Sequence, residues 1–566
     1  MRAASCRDRA PIHAARARYA ECTTRGPMGT RGKGRARWAL VLIALASGCT
    51  GDAAIDGDAS TPRDGGISSI DGARPSEHDA STSPIDGGPV ATAGEIALTL
   101  RADRGAASDA VVSLGVPFAP GVLRDASHVR VLDASGTERE IHVAELARWP
   151  LDGSIRSVLV AFRATLAANA EERWTIEHGA PRTRTAPAAI APAPDGPVAA
   201  TLDPEHYARS RVSGPHLTIA ANDRFESFDD ELESCLGSMS PAYETYGVSC
   251  AGTNAHRTYY DGPHALWQRF VRGADAARYR RARLESTWYR DNELEWIAGR
   301  AMAVQVCQAD GWTPSQKLDW GVMRRMTGQG MLDDYLLTGD PAAREAVIAM
   351  GEAFVRSLPA QRGGRENSLR VTERNLAWTI MGVASYYALD PRDEVRAALV
   401  SLIDEAVDWQ SDGTSGAFEH DLVRPDPEEC SDGPAGGSPF MTSLLVDGLM
   451  DAHALTGDAR IADVVRRAAE WLRDDAVTSD GAAFRYLWGC ASDDYDDSST
   501  ADLNLLIVHV FGAAYVLTGD AAWLDVGDAF ADHGVDAMYV GRPKQWNQSG
   551  RAFPRYLGYR ALGRAP

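Results

Sequence analysis

One short phrase recurs in this chain and sets what it can fold into. It reads Thr338-Gly339-Asp340, then Thr456-Gly457-Asp458, then Thr518-Gly519-Asp520. Each copy follows an apolar, small-residue-rich run and precedes an amphipathic one. Weaker copies stand at 387–391 and 271–275. Glycine takes positive φ without a Cβ clash, so it ends a helix. Aspartate accepts from the free N–H groups that open the next one. The copies fall roughly 50–70 residues apart, longer than most solenoid repeats, so each unit is a helical hairpin plus a variable loop. A ring of such hairpins, an (α/α) toroid, is the expected fold over 256–566.

The pattern predicts first helices at 260–271, 318–337, 373–389, 440–455 and 502–517, apolar nearly all round, as an inner ring packed on two sides requires. Second helices follow at 276–289, 341–356, 392–409, 459–473 and 521–538, each with one apolar stripe. A last stretch, 553–562, is expected to close the ring. Inner-to-outer joints are a few residues long. Outer-to-inner joints, roughly 290–317, 357–372, 410–439, 474–501 and 539–552, are long and would emerge together at one pole.

The chain before the toroid divides by composition. Residues 1–49 hold an export signal. Arg31, Lys33, Arg35 and Arg37 precede the short apolar run 38–45, too short to span a bilayer. Ala46-Ser-Gly-Cys49 reads as a lipobox, which would make Cys49 the lipidated residue of a bacterial cell-envelope lipoprotein. Residues 50–93, rich in Gly, Asp, Ser, Ala and Pro, read as a disordered tether. Residues 94–180 alternate as short strands at 96–100, 111–114, 129–132, 155–162 and 174–176, a small β-domain. Residues 181–255 are a linker and connecting segment, with a strand expected at 215–221.

Within the β-domain, Gly115-Val-Pro-Phe-Ala-Pro-Gly121, Val131-Leu-Asp-Ala-Ser-Gly136 and Ala147-Arg-Trp-Pro-Leu-Asp-Gly-Ser154 occur in order. This resembles the N-terminal RIFT-barrel domain of exo-rhamnogalacturonan lyase-like proteins. The resemblance implies a small β-barrel ahead of an (α/α) toroid, and polysaccharide lyase chemistry. Family members usually add a C-terminal β-domain that has no counterpart after the toroid here. The bland reading of the Trp-Pro-x-Asp-Gly-Ser element is a hairpin turn on Asp152-Gly153 with Trp149 in the core.

The formal charge of −20 argues against a nucleic-acid partner, because phosphate contacts need basic stripes. After Cys49, five cysteines remain, and an exported protein allows them to pair. The expected pairs are Cys235–Cys250 and Cys430–Cys490, with Cys307 a buried thiol. Their spacing does not suit zinc, and no metal site is expected. The acidic run 493–497 could hold Ca²⁺, although such runs are more often simply solvated.

The long joints gather aromatic rings beside Arg, Asn and carboxylates, the chemistry of a cleft for a polysaccharide or oligosaccharide. A lyase needs cations or amides to neutralise a uronate carboxylate, and a Tyr, His or Lys base. His256, Tyr260, Arg374, Asn375, His420 and Tyr486 are the candidates for those roles. Trp312, Arg370, Glu373, Glu419, Trp488, Trp546 and Arg551 are the candidates for holding the sugar. A glycoside hydrolase would instead need two facing carboxylates, drawn from Glu373, Glu419, Asp421 and Asp502. A non-catalytic glycan-binding lipoprotein would keep the cleft and lack converging ionisable groups.

Overall fold

The computed structural model describes residues 94–186, 188–238, 258–297, 300–308, 311–314, 326–362, 368–422, 435–490 and 501–562. Over 295–314 it describes the strands alone. His256, Cys49, the run 493–497 and the partner positions Cys250 and Cys430 lie outside the described residues, as do both segments before residue 94.

Seven strands open the described chain: β1 (Gly94–Arg101), β2 (Ala107–Pro117), β3 (Val129–Leu132), β4 (Ile141–Arg148), β5 (Ile155–Leu166), β6 (Glu171–His178) and β7 (Ala199–Leu202). They make two antiparallel sheets, ordered β3-β6-β1-β7 and β2-β5-β4. The Trp-Pro-x-Asp-Gly-Ser element is a hairpin turn. Gly153 takes φ +69°, Asp152 accepts from the Ser154 amide at 2.9 Å, and buried Trp149 donates to the Phe118 carbonyl at 2.9 Å. The strand expected at 215–221 is replaced by a short 3-10 turn, Ile219–Ala221.

The helices are α1 (Pro204–Ser210), α2 (Glu226–Ser238), α3 (Gly262–Gly273), α4 (Ala276–Trp288), α5 (Gln329–Thr338), α6 (Pro341–Arg362), α7 (Glu373–Leu389), α8 (Asp393–Asp412), α9 (Pro439–Thr456), α10 (Arg460–Asp474), α11 (Asn504–Ile507), α12 (His509–Thr518), α13 (Ala522–Asp536) and α14 (Pro543–Leu562). Among the described residues, α3, α5, α7, α9, α11–α12 and α14 each touch the next, and α14 returns to α3, closing an inner ring. Helices α4, α6, α8, α10 and α13 pack outside it. Burial follows position: α7 is buried from Glu373 to Ala388, whereas α10 buries one stripe of Ile461, Val464, Val465, Ala468, Ala469, Trp471 and Leu472.

Three parts of this ring differ from the sequence reading. The last inner helix starts at Pro543, ten residues before the expected 553. Its first turns carry polar residues that read as a loop in sequence, yet Lys544 and Asn547 there meet Tyr259. The acidic run around Asp229 belongs to α2, which completes the outer layer beside α3 and α14. Asp229 is buried and takes Arg269 at 2.6 Å and Arg272 at 2.7 Å. The first long joint contains a three-stranded sheet, β8 (Leu294–Ile297), β9 (Arg300–Gln308) and β10 (Gly311–Pro314). Trp312 stands on β10 opposite Cys307.

The Thr-Gly-Asp joints are built as the residues require. Gly339, Gly457 and Gly519 sit at φ +73°, +67° and +73°, each donating to the carbonyl four residues back. Asp340, Asp458 and Asp520 each accept from the amide two residues on, at 3.0–3.1 Å. The threonine is also specified. Thr338 donates to the Asp334 carbonyl at 2.6 Å and accepts from the Asp340 amide at 3.1 Å. Thr456 and Thr518 repeat this. In the weak copy, Ala274 adopts the glycine conformation at φ +51°.

The sheets cover this short-joint pole. Ser157 on β5 donates to the Leu336 carbonyl at 2.7 Å, and Tyr335 donates to the Leu146 carbonyl at 3.3 Å. Gly115 comes so near α5 that a Cβ there would lie 2.0 Å from the Leu336 carbonyl oxygen. From β5, buried Arg156 stacks over Trp149, 4.6 Å from the ring centroid, and lies within electrostatic reach of Asp333 and Asp451.

Candidate functional site

The inner helices start at the long-joint pole. Their inward side chains form rungs. The deepest holds Asp333 on His264 at 2.6 Å, and Asp451 on Arg555 at 2.8 Å. Above it Arg551, fully buried, donates to Asp447 at 2.7 Å and Gln329 at 2.6 Å, and its guanidinium lies 4.7 Å from the Trp378 ring centroid. Burial alone would raise the Asp447 carboxyl, but Arg555 and Arg551 hold it below the usual carboxylate range.

Tyr260 meets Trp378 edge-on, with centroids 6.3 Å apart. Burial pushes the Tyr260 phenol up, with Tyr259 adding to the shift and Arg374 opposing it. At the mouth, Arg374 donates to the Tyr259 hydroxyl at 3.0 Å. The Tyr259 and Tyr260 rings are 4.6 Å apart, and the Lys544 ammonium lies 6.0 Å from each centroid. Asn547 donates to the Tyr259 carbonyl at 2.8 Å. Tyr486 comes from the joint before α11, leans on Phe440 with centroids 5.0 Å apart, and lies within electrostatic reach of Tyr260. Cations, phenols and an amide from α7, α14 and the segment before α3 therefore meet on Tyr259.

The expected site residues divide accordingly. Tyr260, Arg374 and Tyr486 converge at the mouth. Tyr260 is 1% exposed and is therefore a floor residue, whereas its neighbour Tyr259 is half-buried. Glu373 and His420 are buried together, Nδ1 to Oε2 3.2 Å, and Glu373 also accepts from the Ser438 amide at 2.8 Å. That pair fastens the 413–438 joint to the head of α7.

The remaining residues are committed elsewhere. Asn375 donates to the Ser368 carbonyl at 3.1 Å, holding the turn before α7. Arg370 pairs with Glu405 and with Asp412 at 2.7 Å, both on outer helix α8. Glu419 accepts from Ser415 at 2.8 Å. Trp488 meets Trp471 edge-on at 6.0 Å. Trp546, 1% exposed, donates to the Leu232 carbonyl of α2 at 3.0 Å. It lines a small cavity with Leu236, Leu266 and Arg281, outside the axis. Arg551 is a deep structural hub, not a surface ligand.

The sequence does not single out Tyr259, and its periodicity puts Lys544 on a loop. The available signal was a polar residue in the first two turns of an otherwise apolar inner helix.

No family model matches the chain, and no curated protein matches it. Among solved structures it is similar to a family 76 glycoside hydrolase from a bovine Bacteroides thetaiotaomicron strain (10% identity, TM-score 0.38, 82% of this chain and 96% of that one). It is also similar to cellobiose 2-epimerase from Spirochaeta thermophila (13%, 0.40, 59% and 98%) and to unsaturated glucuronyl hydrolase from Bacillus sp. GL1 (15%, 0.33, 50% and 67%).

Proposed function

We propose that this protein is an exported carbohydrate-active enzyme, a polysaccharide lyase-like protein that cleaves a uronic-acid-containing glycan by β-elimination at the long-joint pole. The observation that carries this is the Arg374–Tyr259 hydrogen bond at 3.0 Å with Lys544 facing the same tyrosine. Arg374 and Lys544 would pair with the uronate carboxylate and draw charge from the adjacent carbon. Tyr259, its proton first lost to solvent, would take the proton from that carbon. The C–H electron pair becomes the new C=C bond, the β C–O bond breaks, and the leaving oxygen takes a proton from solvent. Tyr486 would form the facing wall for a sugar ring.

Lyase chemistry is favoured over hydrolysis by a specific observation. Glu373 and Glu419, two of the four carboxylates a hydrolase would draw on, are committed to His420, Ser438 and Ser415. Cys235 and Cys490 are both disulfide-bonded, which supports an oxidising compartment and hence export, while lipidation at Cys49 rests on the lipobox sequence. The order of the Gly115, Val131 and Ala147 motifs supports reading the sheets as a RIFT-type module of exo-rhamnogalacturonan lyase-like proteins.

The test is incubation with a panel of uronate polysaccharides, read by ultraviolet absorbance of unsaturated products. Absorbance that disappears in Arg374→Ala is the expected result. New reducing ends without absorbance would indicate a hydrolase, and glycan retention with neither signal a binding protein.

A further inference from the structure

The head of α3 differs from every other described helix start in the ring. Tyr260 and Asp261 are consecutive non-glycine residues in the left-handed region, at φ +64° and +55°. Both are about 1% exposed. No other adjacent pair of non-glycine residues is left-handed among the described residues. The residues at the starts of α7 and α9, Thr372 and Ser438, are extended at φ −150° and −114°. A left-handed non-glycine residue is strained, and a bulky tyrosine is an outlier there. Such a conformation persists only where its surroundings over-determine it.

The over-determining group is the Asp261 carboxylate. Oδ1 accepts from the His264 amide at 3.1 Å, and Oδ2 accepts from the Gly330 amide of α5 at 3.2 Å. Gly330 is itself required, because a Cβ there would lie 2.5 Å from the His264 nitrogen and 2.7 Å from Asp261 Oδ1. The chain reverses sharply through this pair. Tyr259, immediately before it, is left with its carbonyl on Asn547 and its hydroxyl on Arg374. Burial raises the Asp261 carboxyl, with His264 and Arg551 opposing.

We propose that Asp261 is a positioning residue: it holds the left-handed Tyr260–Asp261 turn, and that turn presents the Tyr259 hydroxyl to Arg374. Its catalytic consequence rests on the lyase reading, but the positioning itself does not. An ordinary helix cap would not require two strained residues, and α4 supplies the control. Asp275 caps α4 through the Arg278 amide at 2.8 Å, at the opposite pole.

The experiment compares Asp261→Gly, Asp261→Asn and Asp275→Gly in the full chain. Glycine tolerates the left-handed backbone but lacks the carboxylate. Acetylation of Tyr259 by N-acetylimidazole, read by mass spectrometry, needs no substrate. It is expected to run several-fold faster in Asp261→Gly than in wild type, and unchanged in Asp275→Gly. Asp261→Asn keeps one acceptor and tolerates the conformation, so it should fold and fall between. With an active substrate, Asp261→Gly should lower kcat by about tenfold or more with little change in KM. Unchanged Tyr259 labelling in both folded Asp261 variants would overturn the positioning role, whatever the activity. Faster labelling with no activity on any glycan would keep it and overturn the lyase reading instead.

Discussion

The same helices end at two poles that are built differently. At the short-joint pole, the chain turns through Thr-Gly-Asp, and the helix ends are satisfied within a few residues. The threonine hydroxyl takes the carbonyl behind it, the glycine closes the turn, and the aspartate caps the next helix. Nothing in such a turn is left for a ligand, and the sheets settle on it through Ser157 and Gly115. At the long-joint pole, each inner helix begins from a different sequence. Arg374, Lys544 and Tyr259 arrive from separate elements and meet. The lesson is that joint length divides scaffold from site: a self-contained turn fixes geometry, and an elaborate one brings chemistry.

This contrast can be broken at either end. The largest expected effect is at the open pole. Arg374→Ala should remove about 10²–10³-fold of turnover on a uronate glycan, while the thermal unfolding midpoint stays near wild type. Loss of folding in place of loss of turnover would make Arg374 part of the scaffold. At the covered pole, Gly115→Ala forces a methyl into the Leu336 carbonyl and should cost about 3 kcal/mol in denaturant unfolding. Activity per folded molecule should survive it.

The third expectation concerns buried imidazoles on both sides of the ring. Burial lowers His206, His216 and His509 to about 4. Their unfolded values lie near 6.5, so the unfolded chain binds more protons between the two. The stability they allow is fully present above about pH 6.5 and falls as pH drops toward 4, by about 2–3 kcal/mol for each histidine. Unfolding midpoints measured across that window should decline, and His509→Gln should flatten the decline. The smallest pair sharpens the reading of the joints. Ala274→Gly should stabilise by about 1 kcal/mol, because Ala274 holds a glycine conformation. Gly519→Ala should destabilise by a similar amount of about 1 kcal/mol from φ alone, since a Cβ there meets nothing within 4 Å.

By itself the sequence determined the hairpins, their caps and the ring, because these follow from local rules: periodic burial, a glycine that must be left-handed, an aspartate that must cap. It also placed Arg374, Tyr260 and Tyr486 at one pole, since helix direction follows from joint order. Tertiary structure alone decided which of the polar residues meet there. Asn375, Arg370 and Trp546 look no different in sequence from Arg374, yet their partners lie on the Ser368 turn, α8 and α2. It also decided that 543–552 is helix, because Arg551 is buried against Asp447 and Gln329, 104 and 222 residues earlier in the chain. Which of the two rings is the less buried, Tyr259 or Tyr260, goes with two backbone angles that no periodicity encodes.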